Sequence, residues 1–212
     1  MQMNLDNLSE AMALAMNGRK EEAWDLLFEK PSKSSSSMEL INTGFRGTFE
    51  QSREHYKEKG MRMAGMSDYY KFAKQCMQTS DMMTLETLRK DMGCWLWSSL
   101  LEYNNGMVSV DRREPVKSPE FWDVPLANVL EDKDGLRLFQ ELCQTMDDAQ
   151  TILSVFCFLS GKEAETIKVW IPESHGKKFT GAASLYYSLG LFHIIGSSII
   201  SNGRSCGVSE AH

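Results

Sequence analysis

The chain has 212 residues, 23 of them basic and 29 acidic, giving a formal net charge of −6 and a pI near 5.3. Hydrophobic residues at 42% and charged residues at 25% are enough for a sizeable core and exclude wholesale disorder. The acidic balance supplies no global field for nucleic acid or an anionic membrane surface, so any phosphate contact falls to a local basic patch.

In chain order, Leu5, Leu8, Met12 and Met16 recur at three- and four-residue spacing and predict a first helix, which Asn17-Gly18 ends. A second follows, with Glu21 and Glu22 at its positive end and Ala23, Leu26 and Leu27 on one side. Pro31 and the serines of 32–37 stop it in a loop. A polar helix weakened by Gly44 and Gly47 is predicted for 38–60. Another follows over 61–78 with Met63, Met66, Tyr69, Tyr70 and Phe72 on its face. Leu85, Leu88, Met92, Trp95, Leu96 and Leu100 predict the next, closed by Asn104-Asn105-Gly106.

Met107-Val108-Ser109-Val110 alternates and reads as a short strand or extended linker. Ser118-Pro119-Glu120 has the form of a helix start. Two more helices are predicted over 135–146 and 147–159, the second nearly all apolar and stopped by Gly161. Residues 163–171 read as helical or extended. The run from Phe179 to Gly203 has no charged residue between Lys178 and Arg204. It is long enough for a membrane span, but its tyrosines, serines and His193 predict a buried helix with no membrane span.

Within that run, Tyr186-x-x-Leu189-Gly190-x-x-His193 resembles the first helix of a tetratricopeptide repeat. The pair over 5–28 resembles a second, with Ala11 and Ala23 at small positions, Leu14 and Leu27 at bulky ones and Gly18 in the turn. The resemblance at 5–28 and 185–195 implies a peptide- or protein-binding scaffold.

Five cysteines, an odd number with no CxxC pair, predict reduced core thiols. Met1 to Leu14 carries Asp6 and Glu10 and lacks the basic start of a signal peptide, so the cytoplasm is the expected compartment. No histidine has a partner at i+3 or i+4 for a helix-borne zinc pair, and no Gly-rich phosphate loop occurs. No catalytic residue, metal or cofactor is therefore assigned. Trp95, Trp97 and Trp122 are the candidate partner-binding residues, since aromatics dominate interface hot spots. Arg112, Arg113, Lys177 and Lys178 are candidate phosphate contacts.

The sequence thus predicts an all-α protein of about eight to ten helices, a bundle or short helical-repeat array with little or no sheet. Residues 1–106 form an N-terminal helical half, 107–117 an extended linker, 118–202 a C-terminal helical half and 203–212 a flexible tail. The function expected is a non-catalytic protein–protein interaction scaffold or adaptor, able to self-associate. A viral-type helical coat, matrix or nucleoprotein-like subunit touching nucleic acid is the alternative. A thiol enzyme pairing Cys94 or Cys157 with His175 is a further one.

Overall fold

The computed structural model describes residues 40–80, 82–93, 96–171, 178–199 and 202–209, all within the unit Met38–His212. The chain begins with β1 (Leu40–Ile41), β2 (Arg46–Gly47), α1 (Phe49–Glu58), β3 (Met61–Met63), α2 (Met66–Thr79) and α3 (Met82–Asp91). It continues with β4 (Leu96–Asn104), β5 (Met107–Val110), β6 (Val116–Lys117), β7 (Phe121–Pro125), α4 (Leu126–Glu131), α5 (Lys133–Cys143) and α6 (Ala149–Ser160). The last strands are β8 (Ile167–Ile171), β9 (Phe179–Ser188), β10 (Leu191–Ser198), β11 (Gly203–Arg204) and β12 (Gly207–Ser209).

This overturns the all-α expectation and the helical-repeat array with it. Nine strands form one sheet in the order β2-β11-β4-β9-β10-β8-β7, with β5 added to β4 and β6 to β5; a second sheet runs β1-β12-β3. The uncharged run from Phe179 is a β-hairpin, paired from Leu191↔Ser188 to Ser198↔Gly181. Leu189 (φ 50°) and Gly190 (φ 82°) make its tight turn, the positive-φ pair that suits hairpin twist. Residues 181–185 are all buried, so β9 is covered on both faces and lacks the polar/apolar alternation that marks a strand. The tetratricopeptide-like spacing at 185–195 is therefore strand–turn–strand, and 5–28 lies outside the described residues.

The predicted helix through Leu100 stops at Asp91, and β4 begins at Leu96. Ser118-Pro119-Glu120 leads into strand β7 rather than a helix. Residues 107–117 hold β5 and β6, and β4 pairs with β9, so the two predicted halves share one sheet. The last helices follow their local signals. Asp148 caps α6 by accepting the Thr151 N–H at 2.8 Å, and Gly161 (φ 65°) ends it.

α2, α5 and α6 cover one sheet face. Phe72, Leu138, Phe139, Leu142, Ile152, Val155 and Phe156 pack with Leu101, Val169, Ala183, Leu185, Phe192 and Ile194 in the main core. On the opposite face α1 lays Phe49 against Trp97, Leu100 and Ala182. Tyr103 is buried in the main core and stacked on Phe179 at 4.3 Å, yet its hydroxyl has no hydrogen-bond partner. Burial pushes that phenol well above its ordinary pKa. A buried polar group without a partner costs about 1–3 kcal/mol, so Tyr103→Phe should raise unfolding free energy by about 1 kcal/mol in urea titration. A loss of similar size would show that the hydroxyl is satisfied in solution.

Candidate functional site

The outer edge of β4 is shared by two partners. β11 pairs with it at Leu96 and β5 over Leu101–Asn104. Around Leu100, side chains take the place of a strand: Asp111 Oδ1 accepts the Leu100 N–H at 2.8 Å, and Ser99 Oγ accepts the Met66 N–H at 3.0 Å. Beside this edge opens a cleft of about 990 Å³.

Each wall comes from a different element. α1, started by the Thr48–Gln51 capping box, contributes Phe49 and the exposed pairs Glu50–Arg53 (3.3 Å) and Glu54–Lys57 (3.6 Å). β3 contributes Met61, Arg62 and Met63, and the first turns of α2 contribute Ser67, Asp68 and Lys71. Opposite stand Ser98 and Leu100 of β4, with Asp111 and Arg112 from the turn after β5. That turn is closed by Arg113 N–H to Val110 C=O at 3.0 Å. Asp111 (φ 50°) and Arg112 (φ 62°) are both left-handed, a conformation that stores strain in a residue such as Arg and recurs at functional sites.

Asp68 anchors the floor. Its side chain is 2% exposed against 45% for Arg62. Arg62 Nη1 donates to Oδ2 at 2.5 Å and Nη2 to Oδ1 at 2.7 Å, and the Gly65 N–H donates to Oδ2 at 2.7 Å. A carboxylate in the first turn also complements the positive end of α2. By contrast, Lys71 and Arg112 form no ion pair or hydrogen bond among the described residues.

No family model matches the chain. No curated protein and no solved structure matches it either.

Of the sequence-predicted site residues that are described, Arg112 alone reaches this cleft. Arg113 is bound elsewhere: Nη2 donates to the Glu141 carbonyl at 2.5 Å, Nε to the Val110 carbonyl at 3.1 Å, and Nη1 pairs with Glu141 at 3.4 Å. Lys178 precedes β9, whose Phe179 aligns with Tyr103, while Asp111 aligns with Leu100. At about 3.3 Å per residue this puts Lys178 and Arg112 roughly 15 Å apart along β4. Lys177 lies outside the described residues.

Trp97 is fully buried, and its Nε1–H donates to the Gly47 carbonyl at 3.0 Å. Trp122 is 71% exposed and stands edge-on to Trp170 at 4.8 Å; Trp95 lies outside the described residues. Ser67, Asp68, Lys71 and Arg62 escaped the sequence reading, which followed only the apolar face of 61–78. The signal available was Asp68 three residues after Gly65, an acid at the start of a helix.

No thiol or imidazole among the described residues lines the cleft. Cys143 and Cys157 are free thiols. Burial pushes the Cys143 and Cys157 thiols up, away from the reactive thiolate; Cys94 and His175 lie outside the described residues. His55 stacks on Phe45 at 4.2 Å and hydrogen-bonds Thr43 at 2.9 Å. No group of three or more metal-ligating side chains occurs among the described residues, and none of their helices is long and apolar enough to cross a membrane.

Proposed function

We propose that this is a non-catalytic interaction protein that receives a segment of a partner protein in the cleft between α1, the start of α2 and the turn after β5. One observation carries the reading: the cleft combines an open, charged rim with an apolar wall of half-buried Met61 and Met63, backed by the buried Phe49 and Leu100. Adaptable methionines beside paired charges suit peptide capture, in which the apolar wall gives affinity and the rim gives register. The free thiols of Cys143 and Cys157 fit a cytoplasmic setting.

A photo-crosslinking residue placed at Lys57, on the cleft rim, tests this in lysate of the native host. Met146, 90% exposed and not in the cleft lining, serves as control position. The expected result is a discrete, nuclease-resistant protein adduct at 57 and not at 146. Equal adducts at both positions, or an adduct removed by nuclease, would overturn the proposal.

A further inference from the structure

The first turn of α2 presents donors to the cleft that the fold leaves unused. Ser67 is 5% exposed and lines the cleft, yet its hydroxyl has no hydrogen-bond partner among the described residues. Its N–H, at the second position of a 14-residue helix, is one of the orphan donors that every helix start carries. The neighbouring donors are already committed, Gly65 N–H to Asp68 and Met66 N–H to Ser99. The oxygen is not one of the sealed, unsatisfied atoms of the described residues; on a residue otherwise buried it opens onto the cleft, where a ligand can take its free valence.

The charges around it fit an anion. Lys71 lies one turn beyond Ser67, on the same helix face, and Arg112 reaches in from the strained turn. Neither cation is paired among the described residues. Of the nearby acids, Asp68 is neutralised by Arg62, Glu50 and Glu54 are paired along α1, and one oxygen of Asp111 is taken by the Leu100 N–H.

We propose that the start of α2 is the phosphate-binding subsite of this cleft, taking a phosphorylated serine or threonine on the partner polypeptide. Two donors from Ser67 join the two positive charges of Lys71 and Arg112, which suit a phosphate ester carrying roughly two negative charges better than a carboxylate carrying one. They match the three terminal oxygens of a phosphate ester at a helix N-terminus. A nucleic acid fits poorly: it needs a run of available cations along its backbone, whereas Arg53, Lys57 and Arg62 are each paired with an acid and leave only Lys71 and Arg112 of the described lining.

The subsite rests on the cleft being a peptide-binding site, and the test separates the two. The purified protein is titrated by fluorescence anisotropy with a degenerate phosphoserine/phosphothreonine peptide library, the same library unphosphorylated, and a single-stranded oligonucleotide. The phosphorylated library is expected to bind at least about tenfold tighter than its counterpart. Ser67→Ala, Lys71→Gln and Arg112→Gln should each weaken that binding by about tenfold and leave the unphosphorylated library unaffected. Circular dichroism should show all three variants folded.

Equal binding of both libraries, unchanged by the variants, would overturn the subsite and leave peptide capture standing. Binding of neither library, with no crosslink at position 57, would overturn both. Preferential, steeply salt-dependent binding of the oligonucleotide would overturn the phosphopeptide assignment.

Discussion

A Trp97→Ala protein should lose about 3–5 kcal/mol of unfolding free energy, whereas Trp122→Ala should stay within about 1 kcal/mol of the parent. Trp97 is fully enclosed where α1 meets the sheet. Its ring meets Phe49 edge to face at 6.1 Å and 83°, and its N–H satisfies the Gly47 carbonyl. Truncation removes the packing, opens a cavity beneath α1 and leaves that carbonyl without its donor. Since folded domains hold only about 5–15 kcal/mol in total, this one change consumes a large part of the margin. Trp122 has most of its surface in water already and gives up mainly its contact with Trp170. Urea denaturation of both variants checks the contrast. A Trp97→Ala shift below about 1 kcal/mol would mean that the residue is not the core member this structure makes it.

That contrast shows how far the sequence was readable. Tryptophan type alone marked 97 and 122 as equals, because interface and core both favour large aromatics. The sheet environment separates them, and strands were what the sequence hid. Residues 181–185 carry no period because both of their faces are covered, and a short apolar run of that kind cannot be told from a buried helix by periodicity. The spacing of Leu189-Gly190 suits helix packing, yet the same glycine is what the hairpin turn requires. Where a boundary is written in one local side chain, as with Asp148 and Gly161 around α6, sequence and structure agree.

The site was legible only at Arg112. Residues 62–71, 98–100 and 111–112 converge because the β4–β5 hairpin returns the chain to the edge of β4 beside the start of α2. No local pattern encodes that meeting. Arg113, one residue along, points away to Glu141, so adjacency in sequence misled where topology decided. The pairing of Arg62 with Asp68, six residues apart across the β3–α2 corner, was equally invisible to a helical-face count.

Replacing Asp68 by Ala should cost about 3 kcal/mol, and the double variant with Arg62→Ala should cost clearly less than the two single changes added together. Breaking a buried ion pair costs about 3–5 kcal/mol when the remaining charge stays buried. Here the survivor after Asp68→Ala is Arg62, whose side chain is 45% exposed; water can take up its guanidinium, which moves the expected loss to the lower end. The same substitution also strips the Gly65 N–H of its acceptor at the start of α2. In Arg62→Ala the order is reversed, because the carboxylate left behind is 2% exposed and keeps the Gly65 N–H, so that change should cost at least as much. Asp68→Asn should fall between parent and Asp68→Ala, since its amide oxygen can still accept from Gly65 while the charge is gone. A double-mutant cycle in urea isolates the coupling, expected at about 1–3 kcal/mol for residues in direct contact. Additive single costs would show that the pair is solvent-separated, and the rigid floor on which Ser67 and Lys71 are mounted would be lost with it.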